Sequence, residues 1–276
     1  VTTINTQSPT PQRPDIHQLI AKERRGWYLG TGQLLVLILI ILGAWWFADV
    51  LNAKRLAQGA GDIVSLVAEA MPPNFSNWKD WIRPLFDSLA MSVAGTAIAV
   101  IGSVPIGLLA ARNTSPHPVV YFAMRGLLNF LRSVPELIMG IIFVAAVGFG
   151  VLPGVLALGL HSIGMVGKFF AESIEHVDEA PVEAVTSTGA SRLQIILHGV
   201  IPQVLPQMAD VTIYRWEYNF RQSTVMGMVG AGGIGFELIG SLRIMQYQEV
   251  SAILLIILVM VTGVDLLSGI LRKKFK

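Results

Sequence analysis

Apolar residues in this chain come in long runs, and the polar residues between them come in short, separate clusters. Residues 34–51 form the first run, close to the roughly 20 residues a helix needs to cross a bilayer. Trp27 and Tyr28 precede it, and Trp45 and Trp46 lie near its far end, as suits the two membrane interfaces. Residues 85–111 form a second span, with Pro105 and Gly107 inside it. Such breakers are tolerated where neighbouring helices satisfy the freed backbone groups. Residues 119–149 form a third, interrupted by Arg125, Arg132, Ser133, Pro135 and Glu136, and Pro135 predicts a kink or a division there. A fourth follows the turn at 148–154 and runs from 155 to about 170; its Gly159, Ser162, Gly164 and Gly167 predict close helix packing. A fifth helix over 203–226 is unusually polar, and residues 250–271 form a sixth whose only charge is Asp265. The expected fold is all-α: an integral membrane bundle of about six transmembrane helices.

The remaining segments read as water-facing. Residues 1–33 are expected to be a cytoplasmic tail, disordered at its start by Pro9, Pro11 and Pro14, with Lys22, Arg24 and Arg25 before the first span. The length of that polar lead argues for an uncleaved span rather than a signal peptide. Residues 52–84 are expected to be an extracytoplasmic connector. In it Leu56, Ile63, Val64, Val67 and Met71 recur near helical spacing, with Asp62 and Glu69 between them and Pro72 and Pro73 at the end. Trp78 and Trp81 suit an interface. Residues 85–276 then form the core domain. Basic residues flank both termini, so the positive-inside rule places both in the cytoplasm, although Lys54, Arg55, Lys79 and Arg83 weaken that signal.

Composition agrees with lipid as the main solvent. The chain is 53% hydrophobic and 14% charged, against about 25% charge in a soluble domain. A net charge of +2, with the basic residues gathered at the ends, is not a nucleic-acid-binding face. Cysteine is absent, which excludes disulfides and thiolate metal sites.

Three clusters within the spans carry candidate chemistry. On the fifth helix Asp210, Tyr214, Glu217 and Arg221 fall on one stripe, and Glu217 and Arg221 are spaced to pair. Charges at bilayer depth are costly, so they face a cavity or the bundle interior. The stripe is either a polar wall along a substrate path or an ion pair that fixes packing. Arg215 lies off the stripe with no partner at helical spacing, which favours a meeting with a passing anion; Ser223 and Thr224 add hydrogen-bonding capacity. In Arg132-Ser133-Val134-Pro135-Glu136, Arg132 and Glu136 either pair across the proline break or line the path. Gly230-Ala231-Gly232-Gly233-Ile234-Gly235 matches a dinucleotide fingerprint in letters only, because that fingerprint requires a βαβ unit. Between membrane helices, Gly230, Gly232, Gly233 and Gly235 read as a gate or re-entrant turn. His161 and His198 have no companion ligands at metal spacing. No phosphate-binding Walker loop and no nucleophile–histidine–acid set occurs, so the chain is not expected to be an enzyme.

The stretch over 178–202, DEAPVEAVTSTGASRLQIILHGVIP, interrupts the later spans with an amphipathic segment and ends at the proline that opens the next helix. It resembles the cytoplasmic coupling ("EAA") loop of ABC-importer permeases: Glu183, Ala184 and Gly189 fall in register, and Pro202 stands thirteen residues after Gly189. Val185, Gly199 and Ile201 depart from the family's Ala, Ile and Leu. The run from Tyr214 to Val225, the glycine-rich run and the Arg132–Glu136 stretch resemble the permeases of phosphonate importers. That resemblance covers roughly residue 85 to the C-terminus.

The resemblance implies a type I, methionine-importer-like transmembrane fold in a bacterial plasma (inner) membrane. It implies a homodimer of permeases, two ABC ATPase subunits beneath the coupling loops, and an extracytoplasmic phosphonate-binding protein. ATP and Mg would sit on the partner ATPase, and no cofactor on this chain. Glu183, Ala184, Gly189, Ser191 and Pro202 would serve the ATPase contact, and the cargo would be phosphonate, phosphite or a phosphate-like oxyanion. An importer for an amino acid or another small anion, an ATP-independent channel and a membrane enzyme are the alternatives.

Overall fold

The computed structural model describes residues 16–50 and 52–274, and all regular structure among them is helical. Pro9, Pro11 and Pro14, the expected disordered start, lie outside the described residues. The chain divides into two compact units between Ser65 and Leu66. The first holds α1 (Ile16–Phe47) and most of α2 (Ala53–Glu69). Within α1 the stretch Gly30–Phe47 is long and apolar enough to cross a membrane. In α2 Leu56, Ile63, Val64 and Val67 lie along one side, exposed, as the helical spacing predicts.

The second unit is a bundle. Its helices are α3 (Trp78–Leu109), α4 (Pro118–Ser133), α5 (Glu136–Val147), α6 (Val151–Glu175), α7 (Glu179–Ser187), α8 (Arg192–Ile195), α9 (Ile201–Gly227), α10 (Ile234–Arg243) and α11 (Tyr247–Lys273), with a π-helical turn, Ile196–Val200, leading into α9. With α1, helices α3, α6 and α11 give four candidate spans among the described residues, or five if α4 and α5 together make one. The expected sixth, α9, has the length at 27 residues but is too polar to meet the same standard.

Helix α6 is the centre of the bundle and packs against α3, α4, α5 and α9. Buried residues make up 61% of its apolar window, against 17% for α11, most of whose surface is left uncovered by the rest of the chain. Small residues set the spacing. A Cβ on Gly159 would stand 3.0 Å from Ile98 Cγ2 on α3, and one on Gly164 would stand 2.8 Å from the Arg132 backbone nitrogen on α4. The break after Ser133 is sharper than a kink: α4 and α5 meet at 85°. Val134 is extended at φ −83°, ψ 120°, as a residue before proline tends to be.

Trp81 differs from expectation. It is not at an interface but inside α3, 2% exposed, in a core with Ile234, Ala252 and Ile253. The helix starts seven residues before the apolar run, because Trp81 and Leu85 have α10 and α11 to pack on.

Candidate functional site

A buried polar cluster sits where α5, α6 and α9 meet. Arg215 on α9 is 4% exposed. Its Nη2 donates to Glu136 Oε1 at 3.0 Å and its Nε to Ser162 Oγ at 2.7 Å. Its guanidinium also lies 4.3 Å from the Tyr218 ring centroid, within cation–π range. Glu136 occupies the first turn of α5, where the proline break delivers it to the bundle interior and the helix dipole favours its charge. The partner missing at helical spacing was thus supplied by a residue 79 positions away.

Of the two readings of the Arg132–Glu136 stretch, the pairing of Arg132 with Glu136 is not the one found. Arg132 is exposed at the end of α4, and the 85° bend carries Glu136 away from it to Arg215 and His161. His161, which has no companion ligands at metal spacing, belongs to the cluster. Its Nδ1 lies 3.0 Å from the Val134 carbonyl oxygen, and its Nε2 lies 3.1 Å from Glu136 Oε1. Both neighbours are acceptors, and a neutral imidazole carries one N–H, so the tautomer decides which of them it serves. Arg215 and Glu136 form a buried cation–anion pair beside that imidazole. Glu136 Oε2 is buried and has no hydrogen-bond partner.

The network continues to α3. Ser162 Oγ donates to Asn219 Oδ1 at 3.0 Å, and Asn219 Nδ2 donates to Thr96 Oγ1 at 2.9 Å. Asn219 is completely buried and stands four residues after Arg215 on the same helix face, a spacing that would have marked it beforehand. Asn219→Leu is expected to cost about 1–3 kcal/mol by stranding these groups, seen as a lower thermal midpoint of the detergent-solubilised protein.

Glu217 and Arg221 belong to a second network. They pair at 2.9 Å; Arg221 also holds Asp265 at 2.9 Å, and Arg272 holds Glu217 at 2.6 Å. Ser268 donates to the same carboxylate at 2.8 Å. This ties α9 to α11 with its charges balanced. Ser223 and Thr224 each donate to a carbonyl of their own helix, those of Phe220 and Arg221. Six of the seven residues expected along a path therefore lie on or against α9: Arg215 and Glu136 in one cluster, Glu217 and Arg221 in another, Ser223 and Thr224 in neither, with Arg132 apart.

At the start of α9 lies the loop. Asp178 caps α7, its carboxylate accepting from the Ala180 N–H at 3.1 Å. Gly189 ends that helix at φ +78°, a left-handed conformation that only glycine adopts freely. Ser191 opens α8, its N–H donating to Gln194 Oε1 at 2.8 Å. Glu183, Ala184, Gly189, Ser191 and Pro202 are all exposed, together with Leu193 at 66% and Leu197 at 50%. Beside the loop a cleft of about 580 Å³ runs between Arg112, Glu175, Glu183 and Arg192.

The glycine-rich turn closes the other end of α9, about 40 Å away at 1.5 Å per residue. Gly230, Gly232 and Gly233 have φ of +95°, +75° and +75°. The turn is anchored by Ile234 N–H donating to Ser88 Oγ at 3.0 Å and Gly150 N–H donating to the Gly230 carbonyl at 3.2 Å. A Cβ on Gly235 would collide with the Thr224 carbonyl oxygen, so α10 crosses α9 backbone to backbone.

Comparison with known proteins gives this arrangement a context. The family model for the binding-protein-dependent transport system inner membrane component matches residues 103–276. The chain is 64% identical over 270 residues to the phosphite transport system permease protein PtxC of Stutzerimonas stutzeri, covering 95% of this chain and 98% of that one. It is 44% identical over 233 residues to the phosphate-import permease protein PhnE of Mycolicibacterium smegmatis, covering 84% of this chain and 43% of that one. Among solved structures, the MetNI methionine ABC transporter in an inward-facing conformation aligns with 71% of this chain and 96% of its own at a TM-score of 0.61. At 19% identity that match speaks to the fold alone.

Proposed function

The chain belongs to the family of binding-protein-dependent transport system inner membrane components, and from that premise we propose an ATP-driven importer subunit whose cargo is phosphite, phosphonate or a phosphate-like oxyanion. It is a multi-pass permease of the type I importer fold and not itself an enzyme. The observation that carries the cargo class is the cluster of Arg215, Glu136 and His161, which holds a buried guanidinium on the helix that joins loop to gate. The identity to a phosphite permease narrows the anion.

In this reading Glu183, Ala184, Gly189, Ser191 and Pro202 face an ATPase subunit, with Leu193 and Leu197 offering it apolar contact. ATP and Mg sit on that partner. Two copies of the permease, two ATPases and an extracytoplasmic binding protein complete the machine, with both termini in the cytoplasm. Arg132, Glu136, Arg215, Glu217, Arg221, Ser223 and Thr224 line or frame the path, and the turn at Gly230, Gly232, Gly233 and Gly235 forms the outer gate.

The test is ATP hydrolysis by the reconstituted permease–ATPase complex, with and without binding protein loaded with phosphite, methylphosphonate or methionine. Stimulation by the phosphorus oxyanions is expected. Stimulation by methionine alone would replace the cargo, and a permease that binds no ATPase would overturn the importer.

A further inference from the structure

We propose that Gln203 is the positioning residue that joins the coupling loop to α9, so that movement of the loop reaches Arg215 instead of being absorbed. The proposal rests on the importer reading, because it requires an ATPase that moves the loop.

The side-chain amide of Gln203 is satisfied at both ends by the backbone of the loop. Asp178 N–H donates to Gln203 Oε1 at 2.9 Å. Gln203 Nε2 donates to the Asp178 carbonyl at 3.2 Å and to the Gly199 carbonyl at 2.6 Å. Asp178 is where the loop begins and Gly199 lies close to its end, so one side chain ties the two together at the first turn of α9. The rest of α7 lies against the π turn and α8. It has no buried residue; Val182 packs, half-buried, against the core and lies beside Gly199.

The sequence shows why a side chain is needed at this point. Pro202 has no N–H, so the His198 carbonyl lacks its donor at α-helical spacing. The backbone instead widens into the π turn, in which Ile201 N–H donates to the Ile196 carbonyl. A widened turn beside a proline is a compliant joint. Gln203 spans that joint and fastens it to the start of the loop. A push on the exposed residues of α7 and α8 is then delivered along α9, three turns of which separate Gln203 from Arg215. Without the amide, the joint flexes and the push is dissipated.

A purely structural role predicts loss of assembly. A positioning role predicts loss of coupling in an assembled complex. The experiment measures phosphite imported per ATP hydrolysed in proteoliposomes holding permease, ATPase and loaded binding protein. Two variants are compared with the parent: Gln203→Leu, which removes all three bonds, and Gln203→Glu, which keeps the acceptor for Asp178 N–H but sets an oxygen against two carbonyls. Binding-protein-stimulated hydrolysis is expected to persist while phosphite imported per ATP falls about tenfold, as expected for the loss of two or three hydrogen bonds. The chain has no cysteine, so Asp178→Cys combined with Gln203→Cys gives a unique pair for a short reducible bis-thiol reagent. Cross-linking that pair should restore import per ATP, and reduction should abolish it again. An unchanged ratio in both single variants, or a cross-linked pair that stays uncoupled, overturns the role of Gln203 while leaving the importer intact. A parent permease that recruits no ATPase overturns both.

Discussion

Replacing Arg215 with alanine lowers phosphite uptake by about two orders of magnitude, the factor equivalent to roughly 3 kcal/mol. Two causes contribute, and they separate by experiment. Removing Arg215 leaves Glu136 buried at 7% exposure without its cation and leaves Ser162 without a donor. Breaking a buried pair from one side costs about 3–5 kcal/mol, whereas replacing both partners with neutral groups is often near neutral. Arg215→Met combined with Glu136→Gln removes both charges and keeps an acceptor for His161. That double variant is expected to regain the parent's thermal midpoint. Its uptake is expected to stay low, because the guanidinium of the cluster is gone. Full uptake by the double variant would reduce the cluster to a packing device. The measurements are the thermal midpoint in detergent and phosphite uptake in proteoliposomes.

Gly235→Ala gives the largest loss of stability. The added methyl group has only backbone to meet, the Thr224 carbonyl at the α9–α10 crossing, and backbone cannot rotate aside as a side chain does. Gly227 faces the same crossing from the other helix, where a Cβ would stand 2.5 Å from the Phe236 nitrogen. The two helices must separate, and with them the anchor of Ile234 N–H on Ser88. A cost of about 4 kcal/mol or more is expected, beyond ordinary overpacking. Gly240→Ala, on the same helix with open space around it, is the control. It should be neutral or stabilising by up to about 1 kcal/mol, because alanine is the better helix former. Expression in the membrane and thermal unfolding of the two variants check this. Equal midpoints would show that the α9–α10 crossing tolerates a methyl group.

What the sequence disclosed follows from the range of the interactions. The coupling loop was legible because its signals are local: the cap at Asp178, the helix end at Gly189 and Pro202 opening the next helix sit within one segment. The Glu217–Arg221 pair was legible because helical geometry alone brings its members together. The Arg215–Glu136 pair was not, since only the bend at Val134–Pro135 and the packing of α5 on α9 make it. The same holds for His161, whose partners lie on the far side of that bend. The bend itself was expected at Pro135, but its 85° comes from the packing of α4 and α5 around α6. The π turn and the use of Gln203 were invisible, because neither changes the apolar pattern.

The polarity of α9 has a consequence for how the protein is made. Each charge at the middle of a membrane helix opposes its insertion by about 2.5–3.5 kcal/mol, and α9 carries Asp210, Arg215, Glu217 and Arg221. It cannot enter the bilayer as an independent segment. The partners of Arg215, on α5 and α6, are synthesised before it; the further partners of the Glu217–Arg221 pair, on α11, are synthesised after it. Arg215 thus meets its partner while α9 leaves the ribosome, and Glu217 and Arg221 pair with each other, but Asp265 and Arg272 complete that network only when the last helix arrives. A nascent chain halted before α11 holds α9 unfinished at the translocon, exposed to the proteases that clear incomplete membrane proteins.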